Sequence, residues 1–156
     1  MISALSHSYL SLLVLTTILW ILAPVEAQGN VTVGQSLYAD DRNLTWRSIN
    51  SEFAFGFHPI PGKKDKFLLA IGYARIPERT IVWYANKDNP ETDRGSTVEL
   101  IESGYLVLRD PKAHDLWRSR RVTDGSQVSH AAMLDTGNFV IVSKNSTNMG
   151  KLQRSN

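Results

Sequence analysis

A short unit occurs twice at a fixed interval, and that spacing constrains the fold more than any other feature. Ser103-Gly104-Tyr105-Leu106-Val107-Leu108-Arg109 matches Thr136-Gly137-Asn138-Phe139-Val140-Ile141-Val142, offset by 33 positions. In both copies a hydroxyl residue and a glycine mark a turn, and an alternating strand follows. Ile81-Val82-Trp83 and Asp115-Leu116-Trp117 repeat at nearly the same interval, their indoles 34 positions apart. The unit is a strand hairpin ending in an inward tryptophan. It is too small to bury its own apolar face, so several copies must pack about a common axis. No window carries a helical stripe. Apolar runs over 53–57, 67–73, 80–84, 97–101, 105–109 and 138–142 alternate with turn signals such as Pro61-Gly62, Asn89-Pro90 and Asp124-Gly125. The residues predict an all-β chain and leave sandwich, barrel and prism open.

The N-terminus reads as an address. An apolar run over 10–22 ends at Pro24, and Val25 and Ala27 place small residues before Gln28. The run is shorter than the roughly 20 residues of a membrane span, so residues 1–27 are expected to be a cleaved signal peptide. No second such run follows, and a secreted product with no membrane span is expected. Three Asn-x-Ser/Thr sequons, at Asn30, Asn43 and Asn145, agree with that route. The chain has 156 residues and no cysteine. It is therefore long enough to fold without disulfides, and cysteine-zinc sites, iron–sulfur clusters and thiol nucleophiles are excluded.

Several strings in order carry a resemblance. They are Phe53-Ala54-Phe55-Gly56-Phe57, Phe67-Leu68-Leu69-Ala70-Ile71-Gly72-Tyr73, Thr80-Ile81-Val82-Trp83-Tyr84-Ala85-Asn86 and Met133-Leu134-Asp135-Thr136-Gly137-Asn138-Phe139-Val140. Together they resemble the bulb-type, mannose-specific lectin domain, as in plant G-type lectin S-receptor-like serine/threonine kinases and S-locus glycoproteins. The resemblance implies a β-prism of three four-stranded sheets with pseudo-threefold symmetry, over 28–149. Trp83 and Trp117 would be core residues meeting near the axis. A third tryptophan is projected at Gly150. The third sheet is therefore expected to be incomplete, with 150–156 a non-matching tail, the product truncated after the lectin domain, and the fold marginal.

In sugar-binding members of that family each site resembles Gln-x-Asp-x-Asn-x-Val-x-Tyr along one strand. Period 2 turns the polar groups out of one face, where they hold mannose hydroxyls while valine meets the apolar side of the ring. Here the middle copy reads Ile101, Ser103, Tyr105, Val107, Arg109, and Val107 alone fits. The last copy reads Leu134, Thr136, Asn138, Val140, Val142; Asn138 and Val140 fit, and Thr136 keeps a hydroxyl. The first copy reads Ile49, Ser51, Phe53, Phe55, Phe57, and nothing fits. The expected sites are degenerate.

No other chemistry is indicated. The histidines past the leader, His58, His114 and His130, share no metal-ligand spacing with carboxylates. Asp40-Asp41 and Asp88/Asp93 sit in turn-rich segments where aspartate caps the chain. There is neither a nucleophile elbow nor a phosphate loop. No catalytic residue, metal or cofactor is expected, and no nucleic acid as partner. The expected partner is a mannose-type glycan. The alternative is a protein-interaction or decoy module that pairs with receptor ectodomains without sugar. Homodimer formation through an exposed strand edge is also expected.

Overall fold

The computed structural model describes residues 29–42, 44–76, 80–120, 127–144 and 149–151. The expected leader over 1–27, the sequons at Asn43 and Asn145, and residues 152–156 of the expected tail lie outside the described residues.

The described residues form thirteen strands and no helix. These are β1 (Asn30–Val31), β2 (Ser36–Tyr38), β3 (Thr45–Arg47), β4 (Phe53–Pro59), β5 (Lys66–Tyr73), β6 (Ile81–Tyr84) and β7 (Glu91–Asp93), followed by β8 (Thr97–Leu100), β9 (Leu106–Arg109), β10 (Asp115–Arg118), β11 (Val128–Met133), β12 (Phe139–Ser143) and β13 (Met149–Lys151). They make three antiparallel sheets, the architecture expected of a β-prism. A first sheet runs β3-β4-β5-β6, with β7 also beside β5; a middle sheet runs β10-β9-β8-β2; a terminal sheet runs β1-β11-β12-β13.

Alternation aims each sheet inward. In β4 the rings of Phe53, Phe55 and Phe57 enter the core, while Ala54, Gly56 and His58 take the other face. Leu106 and Leu108 do the same in β9, as do Phe139 and Ile141 in β12. The three inner faces meet in one aromatic chain. Trp117 of β10 lies edge-on to Trp83 of β6, with centroids 5.9 Å apart. Trp83 stacks on Phe55 at 6.4 Å, and Phe55 meets Phe139 at 4.7 Å. Each sheet thus contributes a ring, and Trp83 and Trp117 stand together as expected.

Two expectations about the third sheet are corrected. That sheet has four strands: β13 pairs with β12 through Val140↔Lys151, Ile141↔Gly150 and Val142↔Met149. Pairing needs only backbone N–H and C=O groups, and Gly150 supplies both without an indole. The third indole comes from upstream instead. Trp46 of β3 stacks on Phe55 at 5.6 Å and on Phe139 at 5.7 Å. The centre therefore holds three tryptophans, and the argument for a marginal fold loses its basis.

Candidate functional site

The repeated turns position the candidate residues. Leu134 N–H donates to the Asn138 carbonyl at 2.8 Å, and Gly137 N–H donates to the Leu134 carbonyl at 3.0 Å. The same two bonds recur in the middle copy, from Ile101 to Tyr105 and from Gly104 to Ile101, each at 3.0 Å. Both glycines have positive φ, +77° and +85°, a region open to glycine at little cost. The first copy differs by one residue. Ser51 takes the glycine position at φ +57°, and Ser48 N–H reaches past it to the Phe53 carbonyl at 2.9 Å. One extra residue exchanges the two faces of the strand that follows. Phe53, Phe55 and Phe57 therefore point into the core, and the opposite face carries Ala54, Gly56 and His58, which are buried as well. No sugar-type polar row arises there.

On the terminal sheet, Thr136, Asn138 and Val140 lie together. The Asn138 Nδ2 donates to Thr136 Oγ1 at 2.9 Å. Val140 lies outside the central core cluster, is as fully buried as Val107, and forms part of the floor of a groove of about 210 Å³ with Asn30, Ile49, His130, Asp135 and Val142. Register explains the grouping: Asn30 and Val140 flank Ala132 on its two neighbouring strands, and His130 stands opposite Val142. Asp135 is anchored, its Oδ1 accepting Asn50 N–H at 3.0 Å. The groove has an apolar floor and a polar rim, the lining a pyranose ring prefers. The sequence reading missed Asn30, His130 and Asp135 as its neighbours, because β1 has two residues and no period from which pairing is legible.

Val107 belongs to a different place. It stands on the middle sheet opposite Glu99 and Arg118 and is fully buried. Arg109 Nη1 donates to Glu99 Oε2 at 2.8 Å, and its Nε to Asp115 Oδ1 at 3.1 Å. Arg118 Nε donates to Asp115 Oδ2 at 2.7 Å. An ion-paired lattice thus covers the strand face where sugar-binding members carry amides and hydroxyls. The four candidate residues do not form one site.

The comparisons agree with this architecture. Residues 80–155 match the family described as D-mannose binding lectin. The chain is 38% identical over 122 residues to the G-type lectin S-receptor-like serine/threonine-protein kinase LECRK2 of Oryza sativa subsp. indica, covering 73% of this chain and 14% of that protein. It is 36% identical over 137 residues to LECRK4 of Oryza sativa subsp. japonica, covering 85% and 16%. It is 40% identical over 119 residues to RLK1 of Arabidopsis thaliana, covering 72% and 14%. Residues 80–155 thus carry a bulb-type lectin domain match, and most of the chain resembles the lectin portion of these receptor-like kinases.

The lectin domain carries its charge in exposed ion pairs. Arg94 grips Asp41 with two bonds of 2.8 and 2.9 Å and also bonds Asp65, tying three loops together over the Phe67 ring. Hydrogen bonds from Arg94 hold the Asp41 carboxyl below its usual range, those from Arg118 do the same to Asp115, and those from Arg42 to Asp40. Desolvation pushes Asp110 upward, but bonds from His114 and Lys112 outweigh it and leave it low as well. Depressed folded values mean that the unfolded chain takes up these protons first as pH falls. The stabilisation is complete above the unfolded aspartate value, about 3.9, and is lost as pH drops through the folded values. We expect urea midpoints to fall below about pH 4, with a shallower fall in Asp115→Asn; equal acid slopes would contradict these pairings. Among the described residues no His, Cys, Asp or Glu group is arranged to hold a metal, and no helix is long and apolar enough to cross a membrane.

Proposed function

We propose that the lectin domain is a secreted, non-catalytic carbohydrate-recognition module with one residual mannose-type contact, on the terminal sheet. The observation supporting this is a ring-sized groove lined by Val140 and Asp135, with the bonded pair Thr136 and Asn138 in the turn that leads into the same strand. The family's printed description, mannose binding, gives the sugar class. The apolar run over 10–22 and the three sequons support secretion, as does likeness to receptor-like kinases. The chain spans 14% of LECRK2, and the kinase activity of such proteins is not carried over to it.

The contact is weak by construction. A millimolar sugar site has about −4 kcal/mol in all, and each net hydrogen bond supplies about 0.5–1.5 kcal/mol. We expect methyl α-mannoside to bind at millimolar concentration or weaker, shifting Val140 and Val142 methyl resonances. Asn138→Ala should weaken that binding by about 2- to 12-fold, the range one such bond spans. Binding that survives Asn138→Ala unchanged places the sugar elsewhere.

A second reading is a protein-interaction or decoy module, which pairs with receptor ectodomains or with a second copy. The Glu99–Arg109–Asp115–Arg118 lattice on the middle sheet favours it, because that face offers charge in place of sugar-binding amides. Co-purification with receptor ectodomains that free mannose does not disturb would support this reading. No partner at micromolar concentration would count against it.

A further inference from the structure

We propose that Asn30, glycosylated, places the chain's own glycan over the terminal-sheet groove, so that the site is self-covered. This rests on the secretion reading above. Asn30 belongs to the sequon Asn30-Val31-Thr32. In the fold Val31 is buried in the core while Asn30 and Thr32 stay exposed. The acceptor amide therefore faces outward in an extended segment. It also lines the same groove as Val140, Val142 and His130. Asn30 and Val140 flank Ala132 on adjacent strands, so about two strand spacings, roughly 10 Å, separate them.

The covalent step balances. The Asn30 carboxamide nitrogen forms a bond to C1 of the first N-acetylglucosamine of a lipid-pyrophosphate-linked oligosaccharide. The C1–oxygen bond breaks, the lipid pyrophosphate leaves, and the amide gives up one proton. The first sugar then starts at the rim of the groove. The volume of about 210 Å³ is below the roughly 300–1,000 Å³ of ordinary ligand pockets, which suits one ring with the remainder of the glycan lying across the strand edge. A short tether gives an effective concentration of the order of millimolar, which matches a millimolar site. The attached sugar then fills the groove about half of the time and weakens binding of a free mannoside about twofold. The same glycan would shield β1, an edge strand, from pairing with another sheet.

The test uses the full chain made in a glycosylating secretory host, beside Thr32→Ala, which removes the sequon and leaves Asn30 in place. Glycopeptide mass spectrometry is expected to find a glycan on Asn30 of the parent only. Methyl NMR is expected to show Val140 and Val142 resonances shifted between the two proteins. Free methyl α-mannoside should bind Thr32→Ala about twofold more tightly. An unmodified Asn30, or identical Val140 and Val142 resonances in the two proteins, overturns the proposal. Failure of the secretion reading shows separately, as a product that retains peptides from 1–27. Failure of the mannose reading shows as no binding to Thr32→Ala, while the methyl shifts still decide where the attached glycan lies.

Discussion

Phe55→Ala is expected to destabilise the lectin domain by about 3–5 kcal/mol, the cost of removing a fully enclosed phenyl ring. Phe55 has no accessible surface and is in ring contact with Trp46, Phe139 and Trp83 at 5.6, 4.7 and 6.4 Å. Two of those rings belong to its own sheet and the third to the terminal sheet, so its loss opens a void where sheets converge. Ring pairs of this kind add about 0.5–1.5 kcal/mol beyond area burial. A change of that size should lower the thermal midpoint by roughly 6–20 °C. Tyr84→Ala is the control. Tyr84 is 37% exposed on β6 and should change stability by no more than about 0.5 kcal/mol. A Phe55→Ala midpoint within 2 °C of the parent, an order-of-magnitude threshold from the same scaling, would mean that the sheets do not share this centre. The double variant with Trp46→Ala adds a second reading. If Trp46 is the third indole of the core, the two losses should fall short of additive, because the rings border one void.

The architecture was legible because its cause is local and repeated. The Ser/Thr-Gly turn, the alternation after it and the recurring indole each leave a mark in the sequence, and they made the all-β class legible, while the meeting of Trp83 with Trp117 was implied by the family resemblance. The terminal sheet was harder. Its edge strands β1 and β13 have two and three residues, too few for a period of 2 to register, and their pairing is decided by backbone geometry. Trp46 escaped notice because it precedes the first recognisable unit, while the projection from Trp83 and Trp117 pointed forward to Gly150. The first copy was misread through a single residue. Ser51 resembles the hydroxyl of Ser103 and Thr136, but it occupies the place of Gly104 and Gly137, as its positive φ shows. The strand beyond it then turns its other face outward.

For the candidate site, the strand signature proposes Thr136, Asn138 and Val140, because consecutive alternate positions spell them in order. It had no access to what neighbouring strands bring. Asn30 lies 110 positions before Val140 and reaches it through the ladder of β1, β11 and β12. The ion pairs beside Val107 have the same origin: Glu99, Arg109 and Arg118 are contributed by three different strands. A motif along one strand records which hydroxyls can be held. The cross-strand neighbours record whether that face is open, charged or covered.

Gly137→Ala joins stability to the site in one experiment. Gly137 sits at φ +77°, and a Cβ built there comes within 3.0 Å of Phe53 Cε1 and 3.1 Å of Cζ. The left-handed backbone costs a residue with a Cβ about 1–2 kcal/mol. Crowding a packed ring costs about 1–3 kcal/mol more. Phe53 cannot easily yield, since it lies against Tyr73 with centroids 4.9 Å apart. The sum is about 2–5 kcal/mol, expected as a clear drop in the urea midpoint. Gly62→Ala separates the two causes. Gly62 has the same φ of +77°, with no atom within 4 Å of its built Cβ, so it should show the backbone part alone. The difference between the two variants then measures the Phe53 contact, and equal losses would show that the ring has room to move. Gly137 also links Thr136 to Asn138, and its N–H closes the turn that presents them. Any sugar binding should therefore weaken in Gly137→Ala even where the domain remains folded, and should be unchanged in Gly62→Ala, because the Gly62 turn joins β4 to β5 in the first sheet, away from the groove.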